Sequence, residues 1–134
     1  MILLSIDLGK TMGIVVNAGK DNYLHMEDYK FTSYWEFDHK LKDLVVTYKP
    51  DLILIPYPTR FYNVIIAHAK LMGIVCLVGD KKEIPVVEVN DSQAKKVVLG
   101  NGRAKKEDIM NYFKVEPEHI ADAMMFCEWY LKSV

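Results

Sequence analysis

The sequence has little of several features that would place it in a special class of protein. It contains two cysteines, five prolines and seven glycines in 134 residues, and its net charge is −1 from 17 basic and 18 acidic side chains. Cys76 and Cys127 are too few for a disulfide-rich secreted scaffold and lack the paired spacing of a zinc site. The few prolines and glycines exclude a fibrous or low-complexity chain. The small net charge excludes strong attraction of the whole protein to nucleic acid.

Long apolar runs are also lacking. The richest apolar stretch, residues 71–78, is far shorter than the ~20 residues of a membrane-spanning helix, so we expect no membrane partner. The opening residues have no basic leader and reach an acid at Asp7. We therefore expect no secretory signal and a cytoplasmic protein, from a prokaryote or from a phage acting in its host. Apolar residues make up 51% of the chain, enough for one core, and we predict a single domain over residues 1–134.

The charges are distributed unevenly along the chain. Residues 92–106 carry five basic side chains and no acidic one, whereas acids predominate from residue 107 onwards. Such a local basic segment can hold a polyanion although the whole chain is nearly neutral. A solvated basic face is the alternative, and charge alone favours it. The five basic residues are Lys95, Lys96, Arg103, Lys105 and Lys106.

Hydrophobic periodicity predicts both strands and helices. Ser33 and Asp91 are predicted as helix N-caps. Gly73 and the apolar run after it leave a strand open as an alternative to one of the helices. The order predicts an α/β fold, a mixed five-stranded sheet with helices on both faces. The predicted strands are 2–7, 14–17, 23–31, 52–55 and 85–89, and the predicted helices are 34–49, 63–78, 91–99, 104–113 and 117 onwards.

The first candidate for chemistry is Asp7, which ends a strand that should be central in the sheet. A carboxylate at that place is costly unless it meets a cation or hydrogen-bond donors. The alternative is a structural acid that caps the turn after it. The segment of residues 7–13 begins D-x-G-x-T, a pattern that glycerol-kinase-like and actin-like phosphotransferases also have in a phosphate loop. Taken alone, this pattern has little specificity.

The second candidate is Asp122, which has His119 one turn before it on the same helix face. Each has a structural alternative, because a helix dipole favours an acid in the first turn and a His can lie at the rim. The start of this helix must nevertheless pack beside the strand that ends in Asp7. Two carboxylates and an imidazole at these tips predict a divalent-metal site, and oxygen ligands favour Mg²⁺ or Mn²⁺.

Four segments of the chain form a specific combination. Residues 6–13 form the first strand and loop, and residues 69–74 lie in the segment that could be helix or strand. Residues 94–106 follow the predicted strand at 85–89 and read A-K-K-V-V-L-G-N-G-R-A-K-K, and residues 120–123 read I-A-D-A. Together they resemble the RuvC-type Holliday-junction resolvases, which have V-K-x-x-V-x-G-x-G-x-A-x-K and A-A-D-A segments. The phosphotransferases share neither of the last two pieces, and the resemblance favours a helix at 63–78.

The resemblance implies a ribonuclease-H-like fold and a homodimeric enzyme that cuts four-way DNA junctions by metal-dependent phosphodiester hydrolysis. It also implies two Mg²⁺ ions in each active site. Matched position by position, Asp7 would be the ligand shared by both ions and Asp122 a second ligand. His119 stands where many members have Asp and some have His. The resemblance thus implies that these three residues are the catalytic metal ligands.

One position departs from the family pattern. The family has a Glu at the end of its fourth strand, and Pro56 or a near neighbour stands there in this chain. One hypothesis is that another acid completes the site, and the candidates are Glu88, Asp91 and Glu118. The alternative hypothesis is a catalytically weak or inactive protein that binds junctions.

The resemblance also gives a role to the basic segment, whose five cations are expected to contact DNA phosphates. Tyr57, Phe61 and Tyr62 are expected to stack on unpaired bases at the crossover, with packing under a loop as the alternative. Two other functions stay open at this point. One is a small nucleotide-phosphate-binding protein of the actin-like superfamily, and the other is a resolvase-like nuclease of the YqgF type.

Overall fold

The computed structural model describes residues 1–58 and 62–134, and in the helix that begins at residue 62 it describes side chains from residue 64 onwards. Five strands and five helices lie in this part of the chain. None of the helices described there is long and apolar enough to cross a membrane. The elements are β1 (Leu3–Asp7), β2 (Thr11–Asn17), β3 (Tyr23–Lys30), α1 (Tyr34–Tyr48), β4 (Leu52–Pro56), α2 (Tyr62–Lys82), β5 (Val86–Val89), α3 (Asp91–Leu99), α4 (Lys106–Phe113) and α5 (Glu118–Ser133).

The five strands form one mixed sheet in the order β3-β2-β1-β4-β5. β1 pairs antiparallel with β2, and β2 pairs antiparallel with β3. β1, β4 and β5 are parallel to one another. The carboxyl ends of these three strands therefore meet at one edge of the sheet, where ligand sites form in open α/β sheets.

Helices cover both faces of the sheet. Alternate side chains of a strand point to opposite faces, so the apolar run of β4 serves two cores at once. Leu52 and Leu54 pack in the core under α3, α4 and α5, and Ile53 and Ile55 pack in the core under α1 and α2. The prediction of a mixed five-stranded sheet with helices on both faces is confirmed.

Several element boundaries differ from the prediction. α2 runs unbroken from Tyr62 to Lys82, so the apolar residues after Gly73 are helical. The N-cap of α3 is Asn90, whose side chain accepts a hydrogen bond from the Gln93 N–H, and Asp91 is the first helical residue. β2 begins at Thr11, three residues earlier than expected, because Thr11 and Met12 pair with the end of β3 and Gly13 pairs with Asp7 of β1. Ser33 caps α1 as predicted.

Two residues of the first strands hold α5 against the sheet. The Ser5 hydroxyl donates a buried hydrogen bond of 2.7 Å to the carbonyl oxygen of Ala123. Gly13 lies under the first turn of α5, and a Cβ atom there would overlap the backbone carbonyl of His119. Only a glycine allows this approach, and it brings the start of α5 beside the end of β1.

We expect Gly13→Ala to lower the free energy of unfolding by about 1–3 kcal/mol, because the added methyl group must displace α5 from the sheet. The variant should also bind Mn²⁺ more weakly if the end of β1 and the start of α5 form one site. Thr47→Ala, at an exposed position on α1, is the control. The control should be unchanged or up to about 1 kcal/mol more stable. Thermal unfolding and Mn²⁺ titration of both variants test this, and equal behaviour of the two would contradict it.

Candidate active site

Asp7 is the last residue of β1, at the sheet edge where the parallel strands end. It pairs with Gly13 of β2, so its side chain lies next to the first turn of α5. The side chain is 19% exposed. Burial raises the pKa of Asp7, and hydrogen bonds from His119 and Asp122 offset part of that effect. The structure thus places a carboxylate in a site that disfavours its charge.

Asp122 lies on the second turn of α5 and faces Asp7. Burial raises its pKa to about 8, and the negative charge of Asp7 adds to the effect. The two carboxylates are desolvated and repel each other, and both conditions disfavour the charged forms. A divalent cation between two such oxygen donors would remove the repulsion.

His119 lies between two acids at the start of α5. Its Nδ1 atom is 3.6 Å from Oδ2 of Asp7, and its Nε2 atom is 3.9 Å from Oε1 of Glu118. The hydrogen bond with Asp7 raises the pKa of His119. The structure therefore brings Asp7, His119 and Asp122 together, although Asp7 is more than 110 positions from the other two in the chain.

Two further acids lie beside Asp7 and Asp122, and each forms an ion pair with a lysine. Asp91, the first residue of α3, accepts an ion pair of 2.7 Å from Lys95. Glu118 accepts one of 3.2 Å from Lys106. The charge of Asp91 raises the pKa of both Asp7 and Asp122, whereas the charge of Glu118 raises that of Asp122. Two lysines of the basic segment thus border the acid pair.

Glu88 lies elsewhere. Its neighbour Val89 packs in the core under α5, so Glu88 points to the other face of the sheet. Its charge acts on Cys76 of α2, whose pKa burial and Glu88 both raise. Of the three acids that sequence analysis offered as substitutes, the structure brings Asp91 and Glu118 to the site and not Glu88.

Pro56 ends β4 opposite Val89 of β5. Its carbonyl oxygen accepts a hydrogen bond of 3.0 Å from Nε2 of the buried His68 on α2. This hydrogen bond gives His68 a structural role. Proline has no side-chain ligand, so β4 contributes no carboxylate to this edge.

The predicted DNA-binding residues lie on and beside α3 and α4. Lys96, Arg103 and Lys105 are exposed, whereas Lys95 and Lys106 hold the ion pairs described above. Tyr57 follows β4 and is 55% exposed. Phe61 lies outside the described residues, and so does the side chain of Tyr62, with which α2 begins.

The donor atoms at this edge suit a hard divalent cation. Two carboxylates and an imidazole converge, and carboxylate oxygens are the ligands that Mg²⁺ and Mn²⁺ prefer. Among the residues that the structure describes, no group of three His, Cys, Asp or Glu side chains is already arranged around one point as an ion would require. Asp91 and Glu118 are instead turned to lysines. The donor chemistry therefore fits such an ion, with the flanking acids held by cations of the protein.

Comparison with known protein sequences points to one family. The family model described as crossover junction endodeoxyribonuclease RuvC matches residues 34–127. The RuvC protein of Petrotoga mobilis is 31% identical over 95% of this chain and 92% of its own length. That of Alkaliphilus metalliredigens is 28% identical over 92% of this chain and 88% of its own length.

Solved structures share the fold at low sequence identity. Thermus thermophilus RuvC in complex with a Holliday junction substrate has a TM-score of 0.81 at 20% identity, covering 99% of this chain and 96% of that protein. The fowlpox virus Holliday junction resolvase has a TM-score of 0.69 at 13% identity, covering 100% of both chains. The predicted ribonuclease-H-like fold is confirmed.

The raised pKa of Asp122 predicts how stability depends on pH without metal. Between the ordinary value of 3.8 and about 8, the folded protein keeps a proton that the unfolded chain has released. The contribution of this group to stability therefore falls as the pH rises through that interval. In EDTA at pH 8, Asp122→Asn should be more stable than the unmodified protein by more than about 1.4 kcal/mol, the equivalent of one pKa unit.

This gain should vanish near pH 4, and Mn²⁺ should stabilise the unmodified protein more than the variant. Asp43→Asn, at an exposed position on α1, is the control and should have no such pH dependence. Denaturant unfolding at both pH values measures the difference. A variant that is less stable than the unmodified protein at pH 8 would contradict the prediction.

Proposed function

Because the chain belongs to the RuvC family of crossover junction endodeoxyribonucleases, we propose that it resolves four-way DNA junctions by hydrolysing phosphodiester bonds. The observation that carries this proposal is the buried acid pair of Asp7 and Asp122 at the edge where the parallel strands end. Burial raises the pKa of Asp7, and burial together with the charge of Asp7 raises that of Asp122. A divalent cation would therefore stabilise the charged forms of both acids.

The proposed cofactor is Mg²⁺ or Mn²⁺. Asp7 and Asp122 would bind it through their carboxylate oxygens, with His119 as a third donor. When bound, the ion would supply the positive charge that assists attack by water and stabilises the departing oxygen. Asp7 is fixed at the end of a central strand and Asp122 by the packing of α5, so the protein itself sets their separation. The ring of His119 is held beside Asp7 by the same contacts.

The basic segment is proposed to bind the DNA backbone. Lys95 and Lys106 lie beside the acid pair, where a phosphate close to the reacting bond would lie. Lys96, Arg103 and Lys105 are exposed farther out and would contact neighbouring phosphates, which fix register and affinity without reading sequence. Tyr57 is exposed at the end of β4 and is proposed to stack on an unpaired base, together with Phe61 and Tyr62.

A homodimer is proposed because two opposed strands must be cut. We propose α2 as the interface because it exposes apolar side chains: Ile66 is 41% and Leu77 is 53% exposed. They are three turns apart and therefore lie on nearly the same side of the helix. Such a stripe suits pairing with a second copy of α2.

A synthetic four-way junction with Mg²⁺ or Mn²⁺ tests the function. We expect symmetric nicks in two opposed strands, visible as paired products on a denaturing gel. Asp7→Asn should reduce the rate at least about 100-fold, since it removes the central acid of the site. Asp43→Asn is the control variant and should cut normally. Duplex DNA of the same sequence should be cut far more slowly.

The alternative function is junction binding without efficient cutting, which Pro56 favours because it leaves β4 without a carboxylate. Specific junction binding with no cutting in either metal would establish this alternative and contradict the nuclease. The family assignment favours a nuclease over a nucleotide-phosphate-binding protein. A large stabilisation by ATP would contradict that preference.

Salt dependence tests the basic segment separately. Each of Lys96→Gln, Arg103→Gln and Lys105→Gln should weaken junction binding and reduce the slope of log affinity against log salt by about 1. Lys20→Gln is the matched control, because Lys20 lies in the turn between β2 and β3 at the opposite end of the sheet. Fluorescence anisotropy at several salt concentrations measures the slopes. Unchanged slopes for the three variants would remove these residues from the DNA contact.

A further inference from the structure

Three parallel strands end side by side at the site, and they contribute different groups. β1 ends in Asp7, and β4 beside it ends in Pro56, which offers no ligand. β5 pairs with β4 so that Val89 lies opposite Pro56. The chain then passes through Asn90 and enters α3 at Asp91. The acid next along this edge after Asp7 therefore comes from the β5–α3 junction.

The packing of α3 directs its start towards the acid pair. α3 packs against α5 through Ala94 and Val98, which belong to the same core as Ala121 and Met125 of α5. Because β5 ends at the same edge of the sheet as β1, the first turn of α3 lies at this edge, where Asp122 is also located. In agreement with this placement, the negative charge of Asp91 raises the pKa of both Asp7 and Asp122.

The side chain of Asp91 is available to an ion. The Asp91 side chain is 48% exposed and forms an ion pair of 2.7 Å with Lys95, one turn later on the same helix. An i,i+4 ion pair at the surface of a helix contributes little to stability, so a rotation of the Asp91 side chain away from Lys95 costs little. The charge of Lys95 also acts on Asp122. The positive charge of Lys95 therefore stabilises the charged forms of both Asp91 and Asp122.

We infer that Asp91 is the third carboxylate of the metal site, and that it exchanges Lys95 for the divalent ion when the ion binds. This inference rests on the proposed function and deepens it, since it names the group that completes the site where β4 ends in proline. Glu118 is the rival acid. Its charge acts on Asp122 and His119, and it is the first residue of α5, on the side of the site near Lys106. Of Asp91 and Glu118, it is Asp91 whose charge also raises the pKa of Asp7.

Metal affinity and metal hydration test this inference without any reaction. Mn²⁺ titration calorimetry should give Asp91→Asn at least a tenfold weaker affinity than the unmodified protein. With Tb³⁺ as a luminescent probe, lifetimes in H₂O and D₂O count the water molecules on the ion. Asp91→Asn should add about one water, because a lost carboxylate oxygen is replaced by solvent. Glu118→Gln removes an equal charge nearby and should leave the water count unchanged.

A double-mutant cycle tests the exchange with Lys95. Lys95→Gln should strengthen Mn²⁺ binding, because it removes the cation that competes for Asp91. That gain should be largely lost in the Asp91→Asn background. A gain of the same size in both backgrounds would overturn the exchange, because Lys95 would then act on the ion without Asp91.

The outcomes separate the inference from the function on which it rests. If Asp91→Asn and Glu118→Gln weaken binding equally and neither changes the water count, Asp91 acts only through its charge and the inference is wrong. Asp7→Asn should abolish tight Mn²⁺ binding in every case. If it leaves Mn²⁺ affinity unchanged, the metal site of the proposed function is itself wrong.

Discussion

The structure depends on holding two carboxylates together in a place that water hardly reaches. Burial raises the pKa of Asp7 and of Asp122, the charge of Asp7 raises that of Asp122 further, and a hydrogen bond from Asp122 lowers that of Asp7. Such a pair separates unless something stronger holds its backbone. Here that force is the burial of apolar surface on both faces of the sheet, with α5 fixed by the Ser5 hydrogen bond and by the contact over Gly13. The apolar cores stabilise the fold enough to offset the unfavourable burial of the two acids, which are thereby kept in place for binding.

The charges around the pair form two layers. The inner layer is Asp7, Asp122 and His119, which the core holds in place. The outer layer consists of two lysine–acid pairs, Asp91 with Lys95 and Glu118 with Lys106, which are more exposed and easily exchanged. A surface ion pair contributes little to stability, so these pairs can open when an ion or a phosphate arrives. Lys95 and Lys106 would then be available to phosphates of the DNA backbone, as proposed above.

Much of the fold could be predicted from local patterns. The apolar run of β4 and the helical spacing of α1 reflect burial that each segment shows by itself, and the Ser33 cap of α1 follows from a short polar signal. Asn90 was missed as the cap of α3 because Asp91 beside it is an equally good cap by composition. The choice depends on how far β5 extends, which is set by its pairing with β4.

The site could be predicted only in part. Asp7 and Asp122 were found because one ends a strand and the other begins a helix, where acids carry chemistry. The places of Gly13 and Ser5 under α5 follow from strand register and from contacts between distant parts of the chain, which no local pattern records. Glu88 lies on the face of β5 away from the site, whereas Asp91 follows β5 as the first residue of α3, and both placements depend on the pairing of β5 with β4.

The bond from Ser5 to Ala123 joins residues 118 positions apart, and it has a consequence for biosynthesis. The ribosome makes β1 and β2 first and α5 last. A chain that is interrupted or still being synthesised carries Asp7 without His119 and Asp122 of α5, and so lacks two of the three groups proposed to hold the ion. The proposed metal site is therefore complete only after α5 has docked.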